Sequence, residues 1–121
     1  MQGNIKTVEL FRGTGGAITK NAYLDTDPID LRNLRSPTTQ SKGQLHIVSV
    51  GGTITVTTLV ASYEDGTFVA PTTAVTWLTT AAEGTTVSAA VNIPIFPWIK
   101  LRFTETNVAA VSSLDAWLHF R

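Results

Sequence analysis

Two late segments of the chain alternate with a period of two: Trp98-Ile99-Lys100-Leu101-Arg102-Phe103-Thr104 and Leu114-Asp115-Ala116-Trp117-Leu118-His119-Phe120-Arg121. Successive side chains of a β-strand point to opposite faces of its sheet, so this is the pattern of half-buried strands. Ile99, Leu101 and Phe103, with Leu114, Ala116, Leu118 and Phe120, make an inward apolar row. The opposite row holds Trp98, Lys100, Arg102, Asp115, Trp117, His119 and Arg121. If the two strands pair as neighbours in a hairpin closed by the loop 105–112, those seven residues share one face. Trp and Arg are common anchors of protein interfaces, so the seven form the candidate partner-binding set.

The rest of the chain is equally rich in strand signals. Ile5 to Phe11 reads as a first strand, followed by a flexible break at Gly13-Thr14-Gly15-Gly16 and a second strand over Ala17 to Leu24. Pro28 and Pro37 bracket a stretch with a thin apolar face, which reads as an extended arm or edge segment. Gln44 to Val50 alternates and stops at Gly51-Gly52, and Thr53 to Tyr63 is the longest β-branched run. Asp65-Gly66 predicts a hairpin returning through Phe68-Val69-Ala70. Short strands follow around Trp77 and over Thr85 to Phe96, the latter with Val87, Ala89, Val91, Ile93 and Ile95 on one face and Pro94 marking an edge or break. About eight strands at turn spacings near ten residues predict an all-β fold. The expected form is a single antiparallel β-sandwich or jelly-roll-like barrel over 1–121, with 1–37 able to include an extended N-terminal arm.

Composition narrows the functions. Nine Lys+Arg balance nine Asp+Glu, and no basic run exceeds a pair, so no nucleic-acid footprint is expected. No apolar stretch has the length of a membrane helix, and the first residues lack the apolar core of a signal peptide, so synthesis in the cytoplasm is expected. The chain has no Cys, which removes disulfides and thiolate metal sites. His46 and His119 each stand alone in an alternating strand, without a ligand cluster beside them. Asp25, Asp27 and Asp30 are spaced like oxygen ligands, but Pro28 interrupts them and neither a turn glycine nor a downstream bidentate Glu follows, so capping of local amides is the better reading. No Gly-x-Ser-x-Gly elbow is present, and Gly13–Gly16 lacks the following Lys-Ser/Thr of a phosphate loop. The expectation is a protein that is not an enzyme and has no metal, cofactor or catalytic residue.

The order of features carries a resemblance. It runs through Asp30-Leu31-Arg32, Gly43-Gln44-Leu45-His46-Ile47-Val48, the Thr/Val strand and Tyr63-Glu64-Asp65-Gly66-Thr67-Phe68-Val69. It closes with Pro97-Trp98-Ile99-Lys100-Leu101-Arg102-Phe103-Thr104-Glu105-Thr106 and Ala116-Trp117-Leu118-His119-Phe120. Over Asp30 to Arg121 this layout resembles the small all-β virion structural proteins of tailed bacteriophages, those that decorate capsids or build tail and neck parts. The resemblance implies a capsid decoration protein that cements the shell non-covalently, sits in the virion after synthesis in the host cytoplasm, and contacts the major capsid protein or another virion protein. It also implies a homo-oligomer, with a trimer favoured, and no nucleic acid or membrane as partner. The alternatives are a tail, neck or fibre component, or a carbohydrate-binding β-sandwich using Trp77, Trp98 or Trp117 as stacking platforms.

Overall fold

Runs of Thr, Val and Ile stiffen the backbone toward extended geometry, and the frequent Gly and Pro stop each run before it can lengthen. The result, in a computed structural model that describes residues 5–32 and 42–121, is almost entirely β. The strands are β1 (Lys6–Phe11), β2 (Tyr23–Asp25), β3 (Ile29–Asp30), β4 (Lys42–Val50), β5 (Ile54–Ala61), β6 (Thr76–Ala81), β7 (Gly84–Val87), β8 (Val91–Asn92), β9 (Trp98–Glu105) and β10 (Ser113–Phe120). A 3-10 turn, Gly13–Gly16, follows β1.

Two antiparallel sheets form. The first has the order β1-β10-β4-β7, with β8 also on β4; the second has the order β2-β9-β5-β6, with β3 also on β9. β2 and β3 pair with successive stretches of β9, so they fill one position. β7 and β8 do the same along β4. The ten strands therefore occupy eight positions, in the orders 1-8-3-6 and 2-7-4-5. That is a jelly-roll order in an open sandwich.

Both interruptions are bridged by a buried hydroxyl. At the first, Pro28 has no N–H to give the ladder. Thr26 restores it: its N–H donates to Leu101 O and its Oγ1 accepts from Leu101 N–H, both at 3.0 Å. At the second, Ser88 N–H donates to Leu45 O at 2.8 Å and Ser88 Oγ accepts from Leu45 N–H at 2.9 Å. Buried backbone groups are thus satisfied where the edge strands break.

The predicted inward row is fully buried: Ile99, Leu101, Phe103, Leu114, Ala116, Leu118 and Phe120 all lie in the core. Leu45 and Ile47 join from the first sheet, and Ile54 and Val56 from the second. Trp77 spans the layers. Its Nε1 donates to Thr58 Oγ1 at 2.7 Å, and the far edge of its ring fills the space left by Gly43, where a Cβ would sit 3.0 Å from the ring. Gly16 gives similar clearance to Leu114, whose Cβ and O would each lie 2.7 Å from an added Cβ.

Several sequence expectations are corrected. β9 and β10 are not neighbours: β9 lies between β5 and β2/β3, while β10 lies between β1 and β4, in the other sheet. The long β-branched strand β5 takes β9 along its whole length, from Ile54↔Glu105 to Ala61↔Trp98. The loop 106–112 therefore crosses between layers. Ala17 to Leu24 is not one continuous strand: it makes one bridge, Ile18↔Val111, turns at Asn21, which has φ 60, and only Tyr23 and Leu24 enter a strand, β2. Residues 5–32 do not form a free arm, because β1 pairs with β10 and both Ile29 and Leu31 are buried. Residues 1–4 and 33–37 of that expected arm lie outside the described residues. The Phe68–Ala70 return strand shrinks to the bridge Val60↔Val69. The single strand over Thr85 to Phe96 divides into β7 and β8, and three of the five residues expected on one face, Val87, Ala89 and Ile95, are exposed, Val87 at 59% and Ile95 at 91%.

Candidate partner surfaces

Separating β9 from β10 splits the candidate binding set. Trp98, Lys100 and Arg102 lie on the outer face of the second sheet. Asp115, Trp117 and His119 lie on the outer face of the first, with Arg121 just beyond the end of β10. The two groups point away from each other across layers ~10 Å apart, so they cannot form one contact surface.

The outer face of the second sheet is closed by its own chain. Arg102 makes a two-pronged ion pair with Asp25, Nε to Oδ1 at 2.7 Å and Nη2 to Oδ2 at 2.9 Å, and its guanidinium lies 4.0 Å from the Tyr23 ring centre. Lys100 Nζ sits 4.5 Å from the Phe68 ring centre. Trp98 is only 8% exposed, with Arg32 lying 4.8 Å over its ring. Arg32 is itself chelated by Asp30, and its side-chain hydrogen bond, joined by its backbone N–H, holds the Asp30 carboxyl down to about 2. Three cation–aromatic pairs thus line this face. Of the acidic group expected to cap local amides, Asp30 does so at Arg32 N–H and also pairs with the Arg32 guanidinium, while Asp25 serves as the ion-pair partner of Arg102.

The outer face of the first sheet is different. Across its strands runs the row Glu9–Trp117–His46–Val87. The Trp117 and His46 rings are tilted by 34° with centroids 5.1 Å apart. Next to this row, His119 Nδ1 and Thr7 Oγ1 are hydrogen-bonded at 2.8 Å. Both carboxylates of this face are engaged: Glu9, on the edge strand β1, with Arg12 at 2.8 Å, and Asp115, on the internal strand β10 across from Val48, whose Oδ1 accepts Gly13 N–H at 2.7 Å. The outward residues of β4 are Lys42, Gln44, His46, Val48 and Val50, so its outer side is polar over its first half and apolar only at the last two positions.

One functional group escaped the sequence reading. Glu105 was assigned to a hairpin loop, yet it ends β9 in the inward row of Ile99, Leu101 and Phe103, and it is fully buried. Its Oε1 accepts N–H bonds from Asn21 and Asn107, and its Oε2 from Thr53, Val108 and, at 3.5 Å, Ala109. Burial alone pushes such a carboxyl up; the N–H donors of Asn21, Val108, Thr53 and Asn107 outweigh it and hold Glu105 at about 2. The group ties together three connections at one end of the sandwich and presents nothing to solvent. Among the described residues no group of three or more His, Asp or Glu converges as a metal-binding set.

Strand order and surface define a jelly-roll sandwich with one self-closed outer face and one open face. No family model matches the chain, and no curated protein matches its sequence. Solved structures share the fold. The PBSX exported protein XepA superposes with a TM-score of 0.61 at 14% identity, over 95% of this chain and 36% of that one. A chain in the structure of infectious bursal disease virus, Gx strain, gives 0.55 at 13% identity, over 97% of this chain and 31% of that one. The chain thus spans about a third of the length of either neighbour, and at these identities the likeness is one of fold.

Proposed function

We propose that this protein is a virion structural protein of the capsid-decoration kind, acting by non-covalent contact and not by catalysis. The observation that carries the reading is the jelly-roll order, which is widely used for capsid domains. Its fold neighbours, a PBSX protein and a virus-structure chain, fit that use. The side chains support it too. The strongest polar groups, Glu105, Asp25, Asp30, Arg32 and Arg102, are spent on backbone amides or on each other and do not converge on a shared point.

Exposed apolar side chains remain for a partner. The connections 62–75 and 93–97 leave the same end of the sandwich, because Ala61 at the end of β5 pairs with Trp98 at the start of β9. They expose Tyr63, Val69, Ile95 and Phe96 there. The 93–97 tip is held by Phe96 N–H donating to Pro94 O at 3.0 Å and Leu31 N–H donating to Pro97 O at 2.9 Å, between two prolines of fixed φ. A tip already ordered loses little entropy on docking, so its two apolar side chains suit a pocket on a shell subunit. The carbohydrate reading is weakened, since Trp77 and Trp98 are both buried and neither offers a ring face to a sugar.

The test is binding to purified shells that lack the protein. Wild type should bind in a fixed ratio to the shell subunit and raise the temperature at which the shell disrupts. The double variant Ile95→Asp with Phe96→Asp should bind at least ~10-fold more weakly with an unchanged urea midpoint, because both side chains are exposed. Binding to tails or necks instead, or equal binding by the variant, would overturn the assignment.

A further inference from the structure

We propose that Lys42 and Arg121, side by side at one corner of the first sheet, are the docking point for an acidic segment of the shell subunit. This deepens the virion reading, on which it rests, by giving the shell partner a charge.

Lys42 opens β4 and Arg121 follows β10, and the two are directly opposite: the backbone N–H of each donates to the O of the other at 3.1 Å. Residues paired in this way have Cα atoms ~5.5 Å apart and side chains on one face. Both residues are exposed. Like charges in that position repel and weaken a sheet. Elsewhere the chain avoids such a clash, because Arg12, Arg32 and Arg102 each hold a carboxylate. Lys42 and Arg121 hold none among the described residues.

Nor does the chain bring a carboxylate close enough to relieve the repulsion. It has no Asp or Glu from Leu31 to Tyr63 or from Gly84 to Thr104, so β4, β8 and the 93–97 tip carry no acid. Glu9, opposite Trp117, and Asp115 lie ~13 and ~20 Å from Arg121 along β10. Both distances exceed the ~8 Å over which charges act in physiological salt. Both acids also have partners of their own. At the near end of the second sheet, Asp30 holds Arg32, Glu64 acts on that same guanidinium, and Lys6 acts on Asp30.

The position of the pair selects the occupant. Asn92 of β8 lies opposite Lys42 on its other side, and the chain then runs straight into the 93–97 tip. A shell subunit that takes Ile95 and Phe96 therefore meets Lys42 and Arg121 at the border of the same contact. Carboxylates placed there bond to both cations, Arg through parallel donors and Lys through a mobile ammonium. An apolar centre with a charged rim is the usual make-up of a protein interface. Two cations are too few for other anionic surfaces. A nucleic acid is held by neutralising many phosphates, and an anionic bilayer attracts clusters of about four to eight basic residues.

The experiment is binding to purified shells that lack the protein, repeated across a sodium chloride series. Wild-type affinity should fall at least ~10-fold between ~50 and ~500 mM salt. At low salt Lys42→Glu and Arg121→Glu should each bind at least ~10-fold more weakly, while Lys42→Arg binds as wild type. The urea midpoint of Lys42→Glu should hold or rise, since the new carboxylate faces Arg121. A midpoint that falls in step with binding would overturn the inference. So would salt-independent binding, or both charge reversals bound as tightly as wild type, and either result leaves the virion reading standing. Wild-type binding to duplex DNA or phosphatidylglycerol vesicles that Lys42→Glu abolishes would also overturn it, by assigning the corner to another anion. A wild type that shells do not bind at all would overturn both.

Discussion

Thr26→Val tests how the fold tolerates a proline in an edge position. The change keeps the β-branched shape and deletes only the acceptor of Leu101 N–H, which Thr26 Oγ1 binds at 3.0 Å in the middle of β9. Leu101 is fully buried, so no water replaces the lost partner. An unsatisfied buried N–H costs ~1–3 kcal/mol. The added methyl recovers less than ~1 kcal/mol, leaving a net loss of ~1–2 kcal/mol. For a chain of this length that lowers Tm by ~4–8 °C. In urea the midpoint should fall while the slope stays unchanged, since the surface exposed on unfolding is the same. Amide exchange supplies the local readout: Leu101 should lose more protection than Ile99 or Phe103, and Thr26→Ser should restore it. A valine variant as stable as wild type, with Leu101 equally protected, would refute the reasoning.

Four further outcomes follow from the packing and charges. Glu105 has a folded value near 2 against an ordinary value of 4.5, so its stabilisation is full above about 4.5 and is lost as pH falls toward 2. Urea midpoints should decline through that window, and Glu105→Gln should be destabilised at neutral pH and show a flatter curve. Gly16→Ala drives a Cβ onto Leu114 backbone and should cost about 2–3 kcal/mol by urea unfolding, whereas Gly15→Ala, with open space around it, should be near neutral. Ser49→Ala should stabilise by up to ~1 kcal/mol, because Ser49 Oγ is buried without a partner. Arg102→Ala should lower stability by about 1 kcal/mol, through lost contact with Asp25 and Tyr23, without weakening association.

Alternation made the two terminal strands and their inward residues legible, because burial on one face leaves a period of two in any sheet. It could not say which strands are neighbours. Two strands paired in one sheet and two strands facing each other across a core both need one apolar face, so Ile99–Phe103 and Leu114–Phe120 carry the same pattern in either case. Chain proximity favoured a hairpin, since consecutive strands usually pair. In this jelly roll β5 and β6 pair, but β9 and β10, also consecutive, lie in different sheets. Glu105 was hidden for a related reason. Its charge reads as a loop residue, yet counting by two from Ile99 places it inward, and that count was the available signal. The pairing of Arg102 with Asp25, and of Arg32 with Trp98, depends on β2 and β3 lying beside β9, which no local pattern reveals.

The most direct test of the proposed virion role is the copy number of this chain in purified virus particles, by quantitative mass spectrometry against the major shell protein. The account predicts many copies in a fixed ratio to the shell subunit, retained in empty shells. Absence from the particle, or a few copies confined to the tail, would contradict it.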